Sequence, residues 1–250
     1  MKKKKIKNPL IRRIPKELIG DWKKYLVVFL FLVLTIGFVS GMYVANESMI
    51  TSASEGVTKY KQEDGHFELK KQADATLLSA IETGEKADFK ATKTTLYENF
   101  FRNEEEDYNN DGKKDGTIRV FAKTKDINLA CMLQGSFPQK ADEIAIDRMH
   151  ADNVGIKVGD TVTVSGETYK VVGLLAYVNY STLHEKTTDL MFDALKFDVA
   201  MVTQDGFDRL HKSIHYTYAW KYETEPADEA GEKTRSDNFM RALLTQVVVA

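Results

Sequence analysis

The 250-residue chain carries a net charge of −2 and one cysteine, Cys131, which excludes an internal disulfide framework and reads as a small buried apolar residue. The near-neutral total averages two opposite regions. Residues 1–24 hold ten Lys or Arg against Glu17 and Asp21, a net of +8, residues 25–45 hold no charge, and residues 46–250 carry −10. An acidic bulk of that size offers no footprint for nucleic acid, and its 205 residues suffice to bury a core.

In chain order, Leu10, Ile11, Ile14, Leu18 and Trp22 recur at helical spacing among Arg12, Arg13, Lys16 and Lys23. This predicts a basic amphipathic helix, started by Pro9, kinked at Pro15 and stopped at Gly20, lying on anionic lipid. A disordered basic tail is the competing reading.

Residues 25–45 follow, an uninterrupted apolar run of about the 20 residues that cross a bilayer as a helix. A cleaved signal peptide competes, but its apolar stretch is shorter, and Tyr43-Val44-Ala45 places a bulky ring where cleavage wants a small residue. The basic flank predicts a cytoplasmic N-terminus in the plasma membrane and an external region from residue 46 to 250. Gly37 and Gly41 form a G-x-x-x-G pair, with Ser40 beside them. The pair leaves a flat face for another membrane helix, although glycine is common in such helices without an interface.

Beyond the span, residues 46–60 have helical composition and predict a stalk stopped before Gly65. Residues 73–83 read as an amphipathic helix with Leu77, Leu78 and Ile81 inward, and residues 89–101 as a strand. From residue 117 to 180 the pattern becomes short strands and turns (TIRVFA, EIAID, DTVTVSG, TYKVVGLLAYV), predicting a β-rich subdomain. Residues 188–250 return to mixed content, with helical patches at 204–214 and 236–247 and a charged loop over 223–235. The apolar ending LLTQVVVA carries no cap and reads as truncation. The fold class expected is α+β behind one transmembrane helix.

Asp107, Asn109, Asp111 and Asp115 stand at positions 1, 3, 5 and 9 of a loop with Gly112 at position 6, the oxygen-donor spacing of a Ca²⁺ site. Ile118 occupies position 12, so this is not an EF-hand, and a hydrophilic hairpin turn explains the same residues. Otherwise no cofactor is expected. His211 and His215 lie four apart on the predicted helical patch without a third ligand, and His66, His150 and His184 stand isolated. No nucleophile-and-base signature is present, so the chain does not read as an enzyme. No G-x-x-x-x-G-K-[ST] phosphate loop is present either, so any ATP hydrolysis belongs to another chain.

Two stretches carry a family resemblance: RRIPKEL with the following helix ending GFVSGMYVA, and the run GSFPQKADEIAIDRMHADNVGIKVGDTVTVSGETYKVVGLL. Gly135 to Ile144, Lys157 to Asp160, and Val171 to Gly173 match a G-x-x-P-x-x-x-x-E-I segment, a K-V-G-D turn and a closing V-V-G. In these the chain resembles the N-terminal portion of a large FtsX/MacB-type ABC transporter permease of Gram-positive bacteria. The resemblance implies an extracytoplasmic MacB-like periplasmic core domain, further membrane helices, a cytoplasmic ABC ATPase partner, a second permease copy, and mechanotransmission between ATPase and external domain. A single-span anchored sensor or ligand-binding protein, with calcium as one ligand, is the alternative, weakened by a 24-residue tail too short for a signalling output.

Overall fold

The computed structural model describes residues 19–83, 93–180, 182–186, 188–224 and 226–249. The chain divides into two units, Met1–Glu55 and Gly56–Ala250. The predicted amphipathic helix falls almost wholly outside the described residues, as do residues 89–92 of the strand expected over 89–101.

The first described element is α1 (Trp22–Lys59), long and apolar enough to cross a membrane. Its apolar stretch is exposed throughout, with Phe31, Leu34 and Phe38 each 70% accessible. The helix runs past the apolar residues and ends ahead of Gly65, as the stalk reading expected. Lys61 turns left-handed at φ 49°, and the Gln62 amide closes on the Val57 carbonyl at 3.0 Å, an ending that satisfies carbonyls of the last turn.

The second unit begins with β1 (Gly65–Leu69), α2 (Ala75–Thr83), β2 (Thr94–Glu98), β3 (Phe101–Asp107), β4 (Gly116–Ala122) and β5 (Ala130–Gly135). It continues with β6 (Glu143–Asp147), α3 (Arg148–Val154), β7 (Thr161–Val164), β8 (Glu167–Tyr177) and β9 (Phe197–Val202). Last come α4 (Gln204–Asp208), β10 (Tyr216–Tyr222) and α5 (Glu229–Val249). This is an α+β domain dominated by strands.

The strands form two sheets. A three-stranded antiparallel sheet has the order β1-β10-β2, its middle strand arriving about 150 residues after β1. Ile81 of α2, Trp220 and Tyr222 of β10, and Phe239 and Leu243 of α5 share its core. Seven strands form the second sheet, ordered β5-β8-β6-β9-β4-β3-β7. Because β7 also pairs with the first half of β8, six of them close a circuit of hydrogen bonds. Alternation divides the side chains of this sheet. One face buries Ile118, Val120, Ile144, Ile146, Val162, Val164, Ala200 and Val202, and the other buries Phe121, Ala145, Leu175, Val199 and Met201.

Several sequence expectations shift here. The β-rich region predicted over 117–180 extends from Phe101 to Val202, because β3 and β9 are the flanking partners of β4. Asp198 interrupts the apolar pattern of β9, and three successive glutamates interrupt that of β3, which hid both strands from periodicity. The helical patch expected over 204–214 stops at Asp208. The helix expected over 236–247 begins at Glu229, inside the predicted loop, with the Asp228 side chain accepting the Gly231 amide at 2.7 Å.

Candidate functional site

The loop predicted to suit Ca²⁺ connects β3 and β4, an antiparallel pair in which Glu106 faces Gly116. Asp107 accepts the amides of Asp111 at 3.1 Å and Gly112 at 2.9 Å, Asn109 accepts the Asp111 amide at 2.9 Å, and Asp111 accepts the Lys113 amide at 2.9 Å. Asp115 accepts the Asn109 side-chain amide at 3.2 Å. Asn110 and Gly112 supply the left-handed turns, at φ 57° and 83°. The four oxygen-bearing residues thus share one hairpin tip and order its backbone.

On α1, a side chain added at Gly37 or Gly41 would meet nothing within 4 Å among the described residues, so the face they form is open among them. His211 and His215 are not brought together on a helix. His215 instead bridges to Phe101, stacking on its ring at 4.6 Å and meeting the Glu68 carboxylate at 2.8 Å.

The structure assembles a cluster that sequence spacing does not show. Glu106 of β3, His150 of α3 and Asp198 of β9 are fully buried and bring one donor atom each within 4.8 Å of one another. Alternation explains the convergence: Asp198 shares its face with Ala200 and Val202, and Glu106 with Glu104 opposite Ile118, so both carboxylates point into the apolar side of the closed circuit. Gly116, across from Glu106, places no side chain between them. Helix α3 lowers His150 onto this end of the sheet, where Asp147 caps the helix by accepting the Met149 amide at 2.7 Å and Gly155 ends it at φ 85°.

His150 and Asp198 are held by backbone. His150 Nδ1–H donates to the Ala194 carbonyl at 2.7 Å, which turns Nε2 toward Glu106 Oε1 at 3.4 Å. Asp198 Oδ1 accepts the amides of Val199 at 2.7 Å and Asp147 at 3.2 Å, leaving Oδ2 free. Burial by itself would lower the His150 pKa, but the charges of Asp198 and Glu106 outweigh it and hold the ring up at about 9. Burial pushes the Asp198 carboxyl well above the ordinary carboxylate range. His150, read from sequence as isolated, is therefore the centre of an ionisable group of three. The one sequence signal for it is a lone Asp inside the otherwise apolar FDVAMV strand.

A second feature is a cleft of about 520 Å³ lined by polar and aromatic residues of both sheets, including His66, Phe67, Asn103, Arg119, Tyr180 and His215. Arg119 is fully engaged, its guanidinium 4.4 Å from the Phe101 ring centroid and donating to Asn103, Tyr180 and the Glu185 carbonyl.

No protein-family profile and no curated relative matches this sequence. Among solved structures, the chain is similar to the periplasmic region of MacB from Actinobacillus actinomycetemcomitans, at 10% identity and a TM-score of 0.37, over 66% of this chain and 73% of that one. It is also similar to the extracellular domain of the noncanonic ABC-type transporter YknZ from Gram-positive bacteria, at 13% identity and a TM-score of 0.36, over 72% of this chain and 92% of that one. The first is a periplasmic region and the second the extracellular domain of a transporter. At TM-scores this low, the likeness assigns no residue of the present chain a role.

Proposed function

We propose that the chain is the N-terminal portion of a permease subunit of an FtsX/MacB-type ABC transporter in the plasma membrane. In this reading residues 1–24 are cytoplasmic, residues 46–250 are external, and a cytoplasmic ABC ATPase and a second permease copy are its partners. The observation that carries it is the order of parts: a basic flank, an uncharged 21-residue stretch within α1, then a strand-dominated α+β domain. The residues of the second stretch of the family resemblance fall into one continuous piece of that domain. Gly135 ends β5, Ile144 lies in β6, Lys157 to Asp160 form the turn after α3, and Val171 to Gly173 lie in β8.

The chain has no phosphate loop, so ATP hydrolysis is assigned to the partner, and nucleotide-driven motion of the membrane helices is passed to the external domain. Its task is efflux, lipid or peptide handling, or control of an external partner.

The cleft around Arg119 favours a second reading, a single-span anchored domain that binds an external ligand. Purification of the full native product from membranes together with the ABC ATPase encoded beside it separates the two. A stable complex whose ATPase rate depends on this subunit supports the permease. A native chain with one span and no associated ATPase overturns it in favour of the anchored domain.

A further inference from the structure

Glu106 Oε1 and Oε2, His150 Nε2 and Asp198 Oδ2 are sealed from solvent and have no hydrogen-bond partner among the described residues. Two carboxylates and an imidazole left in that state are strongly disfavoured, since no protein donor compensates the lost hydration. Something must sit among them, and the choice lies between protons, a buried water and a metal cation.

One distance favours the cation. A protonated imidazole bridging to a carboxylate draws N and O to about 2.7–2.9 Å. Here His150 Nε2 and Glu106 Oε1 stand 3.4 Å apart without a hydrogen bond. Two donors each about 2.1 Å from a shared ion at the tetrahedral angle lie about 3.4 Å apart. The surrounding bonds point the same way. The donation from His150 Nδ1 to the Ala194 carbonyl turns Nε2 inward, where a divalent ion would displace its proton, and the two amides on Asp198 Oδ1 orient Oδ2 inward. Glu106 has both oxygens free, enough to complete four donors by chelation.

We propose that Glu106, His150 and Asp198 form a structural site for one divalent transition cation, with zinc as the best-matched ion. One imidazole and two carboxylates make a mixed nitrogen and oxygen set whose charge a divalent ion neutralises. Calcium and magnesium prefer oxygen donors alone, and no thiolate is present to select a softer ion. The ion ties β3, α3 and β9 together inside the closed sheet, which makes it a folding element. The assignment does not depend on the transporter reading. It is also separate from the hairpin at residues 107–115, since alternation turns Asp107 to the opposite face from Glu106.

The test is the metal content of the full-length chain, purified in detergent, by mass spectrometry, before and after equilibration with zinc chloride. The expected result is about one equivalent of zinc, manganese or iron per chain, with a thermal midpoint roughly 5 °C or more above that of protein stripped with chelator under mild denaturant. His150→Gln and Asp198→Asn should each lose the bound ion, while Asp111→Lys in the hairpin should keep it. Should both triad variants fail to fold, cobalt(II) added to the stripped wild-type chain decides, through the visible absorption of a tetrahedral site with one imidazole. Wild-type protein that carries less than about a tenth of an equivalent, takes up no zinc and shows no cobalt spectrum overturns the proposal and leaves the triad held by protons or a buried water.

Discussion

Gly135 and Gly173 face each other across β5 and β8, at the two ends of the segment that carries the family resemblance. A methyl group on Gly173 would lie 2.5 Å from the Ser136 carbonyl oxygen and 2.7 Å from Met132 Sδ, and one on Gly135 would strike the Val172 carbonyl. Backbone cannot yield as a flexible side chain does. Gly173→Ala should therefore cost about 2–3 kcal/mol in urea unfolding of the full chain, and a loss below about 0.5 kcal/mol would mean that the crossing is looser.

His66 provides a pH dependence. The Glu63 carboxylate at 2.7 Å holds its imidazole above the ordinary 6.5, against burial that pushes it down. A pKa raised on folding gives stability that is complete below the unfolded value and fades as pH rises through the folded one. Between about pH 6 and pH 8 the wild-type urea midpoint should fall more than that of His66→Gln, by a small amount because the ring is half exposed. Identical slopes would remove His66 from the account.

Two elements are set by their ends or faces. Helix α3 is only seven residues long, too short to persist by itself, and stands on its caps and its packing. Asp147→Ala should cost about 1 kcal/mol in unfolding free energy, whereas Asp147→Asn, which caps equally well, should cost a few tenths. Equal losses would show that the charge, and not the cap, is what α3 needs. Helix α1 poses the opposite case. Nothing within 4 Å approaches Gly37 or Gly41, so replacing both with Leu should leave thermal unfolding of the detergent-solubilised chain unchanged while weakening helix association in the bilayer. Unaltered crosslinking between membrane copies would remove that face as an interface.

For the whole molecule, the charge split predicts topology. A cysteine at exposed Lys113, in a background with Cys131 replaced by Ser, should react with a membrane-impermeant maleimide in intact cells. Labelling only after lysis would place the domain inside. The closed circuit of six strands, by contrast, is a property that local inspection cannot supply. Strands β4, β6, β7 and β8 were legible as short apolar or β-branched runs bounded by turn residues, with alternation clearest in Thr161 to Val164 ahead of Ser165-Gly166. Strands β1 and β10 were not, because aromatic and charged residues mix in both and their pairing joins Gly65 to Trp220.

By itself the sequence determined what rests on neighbouring residues: the apolar span, because every residue from 25 to 45 lacks charge, the helix stop before Gly65, and the Asp-rich hairpin tip, whose carboxylate hydrogen bonds lie within nine residues. Only the tertiary structure decided that Glu106, His150 and Asp198 meet. They are separated by 44 and 48 positions on three elements, and each is unremarkable where it stands in the chain. The sheet order that sets β4 between β3 and β9, and the cap that seats α3 above them, bring the three to one buried point. Because burial removes water as a partner, that convergence is what turns three ordinary polar residues into a site.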